Sequence, residues 1–134
     1  MEKIYTAKAT ATGGRSGHVL SEDGTLDADV RPPGAAGKHL NPEILFAGGY
    51  AACFDSALNS VIRAEKLQTG TTSITAEVTL GKQDNGAYGL EVTLIADIPG
   101  VEKAKAEELI NKAHQVCPYS NATRGNVPVT LIVK

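Results

Sequence analysis

Asn41-Pro42-Glu43-Ile44-Leu45-Phe46-Ala47-Gly48-Gly49-Tyr50-Ala51-Ala52-Cys53-Phe54 opens as a helix and then offers no polar face. Asn41 is a capping residue, and Pro42 fits the first helical position, where its missing amide costs nothing. Glu43 sets an anion in the first turn, against the positive end of the helix dipole. From Ile44 to Phe54 every side chain is apolar or small, so the pattern predicts burial all round rather than a surface helix with one apolar stripe. The helix is expected to run to about Lys66 and to end before Gly70, with Asn59, Arg63, Glu65 and Lys66 turned toward solvent. Its apolar part is about half the ~20 residues that a membrane-spanning helix needs.

Such a helix needs cover, and the flanking sequence supplies strands. Tyr5, Ala7, Ala9 and Ala11 alternate with Thr6, Lys8, Thr10 and Thr12, a strand pattern with one buried face. Gly13-Gly14-Arg15-Ser16-Gly17 interrupts it as a flexible loop. His18–Ser21 and Thr25–Val30 flank Asp23-Gly24, which suits a hairpin turn. Arg31-Pro32-Pro33-Gly34 cannot continue a central strand, because proline has no amide to donate. Beyond the helix, Ile74, Ala76, Val78 and Leu80 alternate with polar residues, and Asn85-Gly86 marks a second hairpin. Leu90, Val92, Leu94 and Ala96 carry on the buried face until Pro99-Gly100. Ala106, Leu109, Ile110, Ala113, Val116 and Cys117 recur at helical spacing, Pro118 ends that helix, and Tyr119–Arg124 allow one further turn. Val127–Val133 closes as a strand. Two β-rich units, each followed by a helix, form a loose β-β-β-α repeat, and the fold class is α+β with antiparallel hairpins. Roughly six short strands offer limited cover to a helix that is apolar on every side, so an obligate homodimer is expected.

Composition narrows the function classes. The 134 residues fit one domain, 1–134, with 42% hydrophobic and 21% charged residues and a formal charge of −2. Without a basic run, a nucleic-acid or polybasic membrane surface is not expected, and 4% aromatics with no Trp argue against base stacking. The N-terminus carries no apolar signal-peptide core, so a cytoplasmic location is expected. Two cysteines are too few for a stapled scaffold or a four-Cys zinc site, but enough for a redox pair.

Cys53 lies mid-helix and Cys117 at a helix end, 64 positions apart with no Cys-x-x-Cys spacing, so each also reads as a small core hydrophobe. A metal site would need these two with His18, His39 or His114, and no short Cys/His cluster supports one. A Cys-His hydrolase would rest on His114 alone, at i, i+3 from Cys117, which is ordinary helical spacing. Arg15, between glycines, is either a solvated loop arginine or a guanidinium brought close to another surface. Glu43 is either a dipole partner or one half of an ion pair with an arginine.

The stretch from Asn41 to Phe54 resembles the first cysteine motif of the organic hydroperoxide resistance (Ohr) proteins of the OsmC/Ohr family. Val116-Cys117-Pro118-Tyr119-Ser120-Asn121-Ala122-Thr123-Arg124-Gly125-Asn126 resembles their second. The length, the glycine-flanked Arg15 and the closing strand fit as well. Gly48, where Ala is expected, and Ile44, where Gln is usual, depart from the pattern. The resemblance implies antiparallel sheets around buried central helices in an intertwined homodimer. It also implies a thiol-dependent peroxidase that needs no cofactor or metal, reducing organic hydroperoxides to alcohols. By the same resemblance Cys53 is the peroxidatic cysteine, Cys117 the resolving cysteine, Arg15 and Glu43 the activating pair, and the reductant a lipoyl-type dithiol. The alternative is an OsmC-branch dimer that senses redox state or binds a hydrophobic ligand without turnover.

The residues add two constraints. A buried thiol has a raised pKa, and Cys53 is too far into its helix for the dipole to help, so a nearby cation is required and Arg15 is the candidate. Glu43 and Cys53 are ten positions apart, about 15 Å along an unbroken helix. Either Gly48-Gly49 breaks the helix, or Glu43 serves the Cys53 of the partner chain, and the second is favoured. Phe46, Tyr50 and Phe54 are the candidates for an apolar substrate pocket.

Overall fold

Turn residues and caps divide the chain where their chemistry requires. The computed structural model describes residues 1–134 as β1 (Ala9–Thr12), β2 (His18–Ser21), β3 (Asp27–Asp29), α1 (Pro42–Ala64), β4 (Ser73–Lys82), β5 (Tyr88–Asp97), α2 (Lys103–Val116), α3 (Pro118–Thr123) and β6 (Val129–Val133). Two compact units emerge, Met1–Leu45 and Phe46–Lys134. Each holds a three-stranded sheet, in the orders β1-β2-β3 and β4-β5-β6. No helix is long and apolar enough to cross a membrane.

In the first unit both strand pairs are antiparallel. Asp23-Gly24 makes the expected turn: Gly24 has a positive φ of 78°, and Asp23 Oδ1 accepts hydrogen bonds from the Thr25 amide and hydroxyl at 3.0 and 2.7 Å. The first strand differs from its sequence reading. It begins at Ala9 rather than Tyr5, and all four of its residues are exposed. The alternation there marks a face that nothing in residues 1–45 covers. The glycine-rich stretch is not a loose loop either. Gly14–Ser16 form a single 3-10 turn, entered through Gly13 at φ 79°. A methyl group on Gly17 would lie 1.7 Å from the Thr12 carbonyl oxygen, so the chain doubles back there at a distance only glycine permits.

The second unit is built on β5. Val92, Leu94 and Ala96 point inward at alternate positions, and pack with Tyr50, Phe54 and Leu58 of α1 and Leu109, Ile110 and Ala113 of α2. The β4–β5 turn closes with the Gln83 amide donating to the Ala87 carbonyl at 2.7 Å and Gly86 at φ 86°. On its other side β5 pairs with β6 in parallel, so this sheet is mixed rather than antiparallel. The parallel pair requires a crossover, which α2 and α3 provide. The second half therefore reads β-β-α-α-β, not the β-β-β-α repeat of the sequence reading.

Helix α1 starts as expected. Asn41 Oδ1 accepts from the Ile44 amide at 2.8 Å, and the helix runs unbroken through Gly48 and Gly49. Burial all round is not what one chain achieves. Ile44 is 49% exposed, and Gly48, Ala52, Ser56 and Ser60 follow it on the same face at four-residue intervals. The opposite face, with Tyr50, Phe54, Leu58 and Ile62, is buried.

Candidate active site

The two cysteines meet. Cys117 Sγ lies 3.6 Å from Cys53 Sγ, although 64 positions separate them. Cys53 is brought there by the middle of α1. Cys117 ends α2 and caps α3, with an extended backbone (φ −65°, ψ 125°) between its amide, which donates to Ala113 O, and its carbonyl, which accepts from the Asn121 amide. Pro118 forces this joint, since it has no amide to continue α2 and its ring restricts the preceding residue to extended geometry. The joint turns Val116 outward, 56% exposed, against its expected place on the buried face. Cys117 itself is fully buried, and Cys53 half-buried.

The Cys53 thiol is held above its ordinary pKa, first by burial and then by the neighbouring Cys117 thiol, while a hydrogen bond from the Tyr119 backbone amide pulls the other way. Two sulfurs at this distance cannot both ionise cheaply. Within residues 46–134 the groups that move this thiol carry no positive charge. The hydroxyl end of Tyr119 packs against α1 at Gly49, where an added methyl would come within 2.7 Å of its hydroxyl. Its ring meets Phe46 and Tyr50 at centroid distances of 6.2 and 5.6 Å.

Cys53 opens onto a groove of about 380 Å³ lined by Ser56, Ala57, Ser60, Val116 and Pro118. None of the three aromatics read as a pocket lines it. Tyr50 and Phe54 are buried and Phe46 is partly buried, and the three form an edge-to-face stack.

The charged candidates come together in the first unit. Arg15 Nη1 donates to Glu43 Oε2 at 2.9 Å and Nη2 to Oε1 at 2.6 Å, the fork-on-fork geometry of a bidentate pair. The Arg15 side chain is 45% exposed and that of Glu43 14%, so the carboxylate is the anchor and the guanidinium its presented group. The hydrogen bonds from Arg15 hold the Glu43 carboxyl below its usual range, and Glu43 holds Arg15 up. The turn that carries Arg15 is pinned from behind: Gly17 O accepts from the Val30 amide and from Arg31 Nη1, both at 2.9 Å. Next to it His18 bridges two carboxylates, Asp29 through Nδ1 at 2.9 Å and Asp27 through Nε2 at 2.5 Å, which raise its pKa.

The sequence reading did not find the contacts that Tyr50 and His114 make with Ser120 and Thr123. A tyrosine and a serine 70 positions apart leave no local signal of their contact.

The OsmC-like protein family matches this chain over residues 35–132. An organic hydroperoxide resistance protein of Xanthomonas axonopodis pv. citri is 52% identical over 133 residues, 96% of this chain and 93% of that protein. The organic hydroperoxide resistance protein OhrB of Bacillus subtilis is 45% identical over 98% of both chains. Among solved structures, an organic hydroperoxide resistance protein from Elizabethkingia anophelis superposes with a TM-score of 0.94 at 58% identity, covering 100% of this chain and 99% of that one. This chain belongs to the OsmC-like family, among its organic hydroperoxide resistance (Ohr) members.

Proposed function

We propose that this protein detoxifies peroxides as a thiol-dependent peroxidase, reducing organic hydroperoxides to alcohols. The observation that carries the reading is the approach of Cys53 and Cys117 to 3.6 Å at the edge of an apolar-walled groove. The names of the Xanthomonas and Bacillus relatives support the same role.

The cycle balances with these two thiols. Cys53 thiolate attacks the terminal oxygen of R–O–O–H; the O–O bond breaks, the alkoxide leaves as alcohol with a proton, and Cys53 becomes a sulfenic acid. The Cys117 sulfur then attacks Cys53 Sγ. The S–O bond breaks, a disulfide forms, and hydroxide leaves with the thiol proton as water. An external dithiol, of lipoyl type, exchanges with the disulfide, returning both thiols and leaving as its own disulfide. Ala57, Val116 and Pro118 favour an alkyl substituent on the peroxide, with the Phe46, Tyr50 and Phe54 stack as the apolar backing.

Arg15 is the cation that this buried thiol requires. Beside Cys53 it would lower the thiol pKa and stabilise the charge developing on the leaving oxygen, with Glu43 orienting it. Glu43 and Cys53 lie ten residues apart on one unbroken helix, about 15 Å along its axis, which no side chain spans. In this reading the Arg15–Glu43 pair therefore serves the Cys53 of a second copy. The exposed Ile44, Gly48 and Ala52 face of α1 is the surface on which two copies would meet. Residues 1–134 then work as a single OsmC/Ohr-like domain within a homodimer, in the reducing cytoplasm where a dithiol is available.

Steady-state consumption of tert-butyl hydroperoxide with dihydrolipoamide tests the proposal. Turnover is expected, and Cys53→Ser should return it to the rate of the uncatalysed reaction. Consumption of a single equivalent without turnover would identify a redox sensor instead, and full activity in Cys53→Ser would remove the peroxidatic role.

A further inference from the structure

The elements that carry the two thiols also carry a chain of hydrogen-bonded polar groups that the cycle above leaves without a task. Tyr50 Oη is 2.9 Å from Ser120 Oγ and 3.2 Å from Thr123 Oγ1. Ser120 Oγ is 2.8 Å from His114 Nδ1, and the Thr123 hydroxyl donates to the Ser120 carbonyl at 3.2 Å. Tyr50, Ser120 and Thr123 are all buried. Their positions bracket the sulfurs: Tyr50 stands one turn before Cys53 on α1, His114 one turn before Cys117 on α2, and Ser120 one turn after it on α3.

Three hydroxyl hydrogens serve the chain, and with that of Thr123 given to the Ser120 carbonyl the 3.2 Å approach of Tyr50 and Thr123 carries none. With His114 neutral and its proton on Nε2, the Tyr50 hydroxyl donates to Ser120 and the Ser120 hydroxyl donates to His114 Nδ1. Burial, and then the nearby Arg124 guanidinium, hold the His114 pKa below its ordinary value and keep the ring in this neutral form. Arg124 in turn fastens the end of α3 to α2 by donating to the His114 carbonyl at 2.5 Å. A satisfied polar network inside an apolar core fixes one relative placement of its elements, because any shift leaves a buried group unpaired.

That placement bears on one chemical step. A disulfide needs the sulfurs at about 2.05 Å, so the 3.6 Å separation must close by roughly 1.6 Å. Cys117 is fully buried at the α2–α3 joint and cannot swing in from solvent. Closure then comes from small rotations of the two side chains, with α2, α3 and α1 held in place around them. We infer that Tyr50, Ser120 and His114 are positioning residues for the resolving step, holding Cys117 opposite Cys53 so that the sulfenic acid is captured before a second peroxide reaches it. The inference rests on the peroxidase reading. In the step concerned, Cys53–S–OH and Cys117–SH give Cys53–S–S–Cys117 and water; the Cys117 sulfur is oxidised and the sulfenic sulfur reduced.

Rapid mixing with tert-butyl hydroperoxide, quenched at intervals for mass spectrometry, follows formation of the sulfenic acid and its closure separately. Tyr50→Phe and Ser120→Ala are compared with Ile98→Val, which thins the same core just beyond β5 without touching the network. The first oxidation should keep its rate in Ser120→Ala and Ile98→Val, and Tyr50→Phe is read by its closure rate relative to its own oxidation rate. Closure should slow about fivefold in Tyr50→Phe, the factor that one neutral hydrogen bond is worth, and further in Ser120→Ala, which breaks two links. Both should accumulate Cys53 sulfinic acid at high peroxide, while Ile98→Val closes at the wild-type rate despite its lowered Tm. Wild-type closure rates in both network variants overturn the inference, as does equal slowing in Ile98→Val. If the wild-type protein forms no sulfenic acid at all, the peroxidase reading fails and the positioning role falls with it.

Discussion

Arg15 and Cys53 stand in surroundings of opposite kind. Around Arg15 the first unit is polar and exposed, and charge is held by direct pairing: Arg15 on Glu43, and His18 between Asp27 and Asp29. Around Cys53 the second unit is buried and uncharged, and polar groups are held as a neutral hydrogen-bonded chain through Tyr50, Ser120 and His114. The first arrangement keeps a guanidinium ionised and presented, and in the second burial holds the Cys53 thiol above its ordinary pKa. Neither alone makes a competent nucleophile, because burial raises the Cys53 pKa and the thiolate is the reactive form. Under the proposed function, activation falls to the charged unit and capture to the buried one.

Arg15→Ala breaks this division with the largest effect. The rate of Cys53 oxidation should fall about a hundredfold, as for loss of one preorganised donor, and the midpoint of Cys53 alkylation should move to higher pH. Closure of the sulfenic acid to the disulfide should be untouched. An unchanged alkylation profile would put the activating charge elsewhere.

Gly17→Ala sharpens the same contrast with a smaller effect. The added methyl collides with the Thr12 carbonyl oxygen, so the turn must rebuild and Arg15 with it. The oxidation rate should drop roughly tenfold through misplacement of the guanidinium, with closure again unaffected. Equal loss in both steps would mean that the two units do not divide the work.

The smallest effect is on stability, and its sign differs between the units. The paired carboxylates raise the His18 pKa, so its stabilisation is full below the ordinary histidine value and is lost as pH rises through the folded value. Burial lowers that of His114, so its contribution is full above the ordinary value and is lost as pH falls toward the folded one. Thermal unfolding at pH 8 and pH 5.5 should therefore show His18→Gln costing more Tm at the acid pH and His114→Gln costing more at the alkaline one. The same sign for both would erase the distinction.

What the sequence carried was local. Asn41 and Pro42 start α1 where their chemistry requires, Asp23-Gly24 and Asn85-Gly86 turn the hairpins, and Pro118 breaks α2 from α3. The two cysteine motifs were legible because each is a continuous run. What escaped depends on partners distant in the chain. The exposed faces of β1 and α1 look buried by composition because alternation and apolarity report what a surface needs, not whether one chain supplies it. The parallel placement of β6 depends on the crossover path, and the Tyr50–Ser120 contact on two helices meeting across 70 positions.

In the proposed function peroxide is reduced at Cys53, and Cys117 of the same chain resolves it. Non-reducing mass spectrometry of the intact denatured chain and of its peptides, after one equivalent of tert-butyl hydroperoxide, tests this. The expected result is a single chain lighter by two hydrogens, with one cross-linked peptide pair, Cys53 to Cys117, reversed by a dithiol. Two free thiols after the peroxide is consumed, or a disulfide linking two chains, would contradict it.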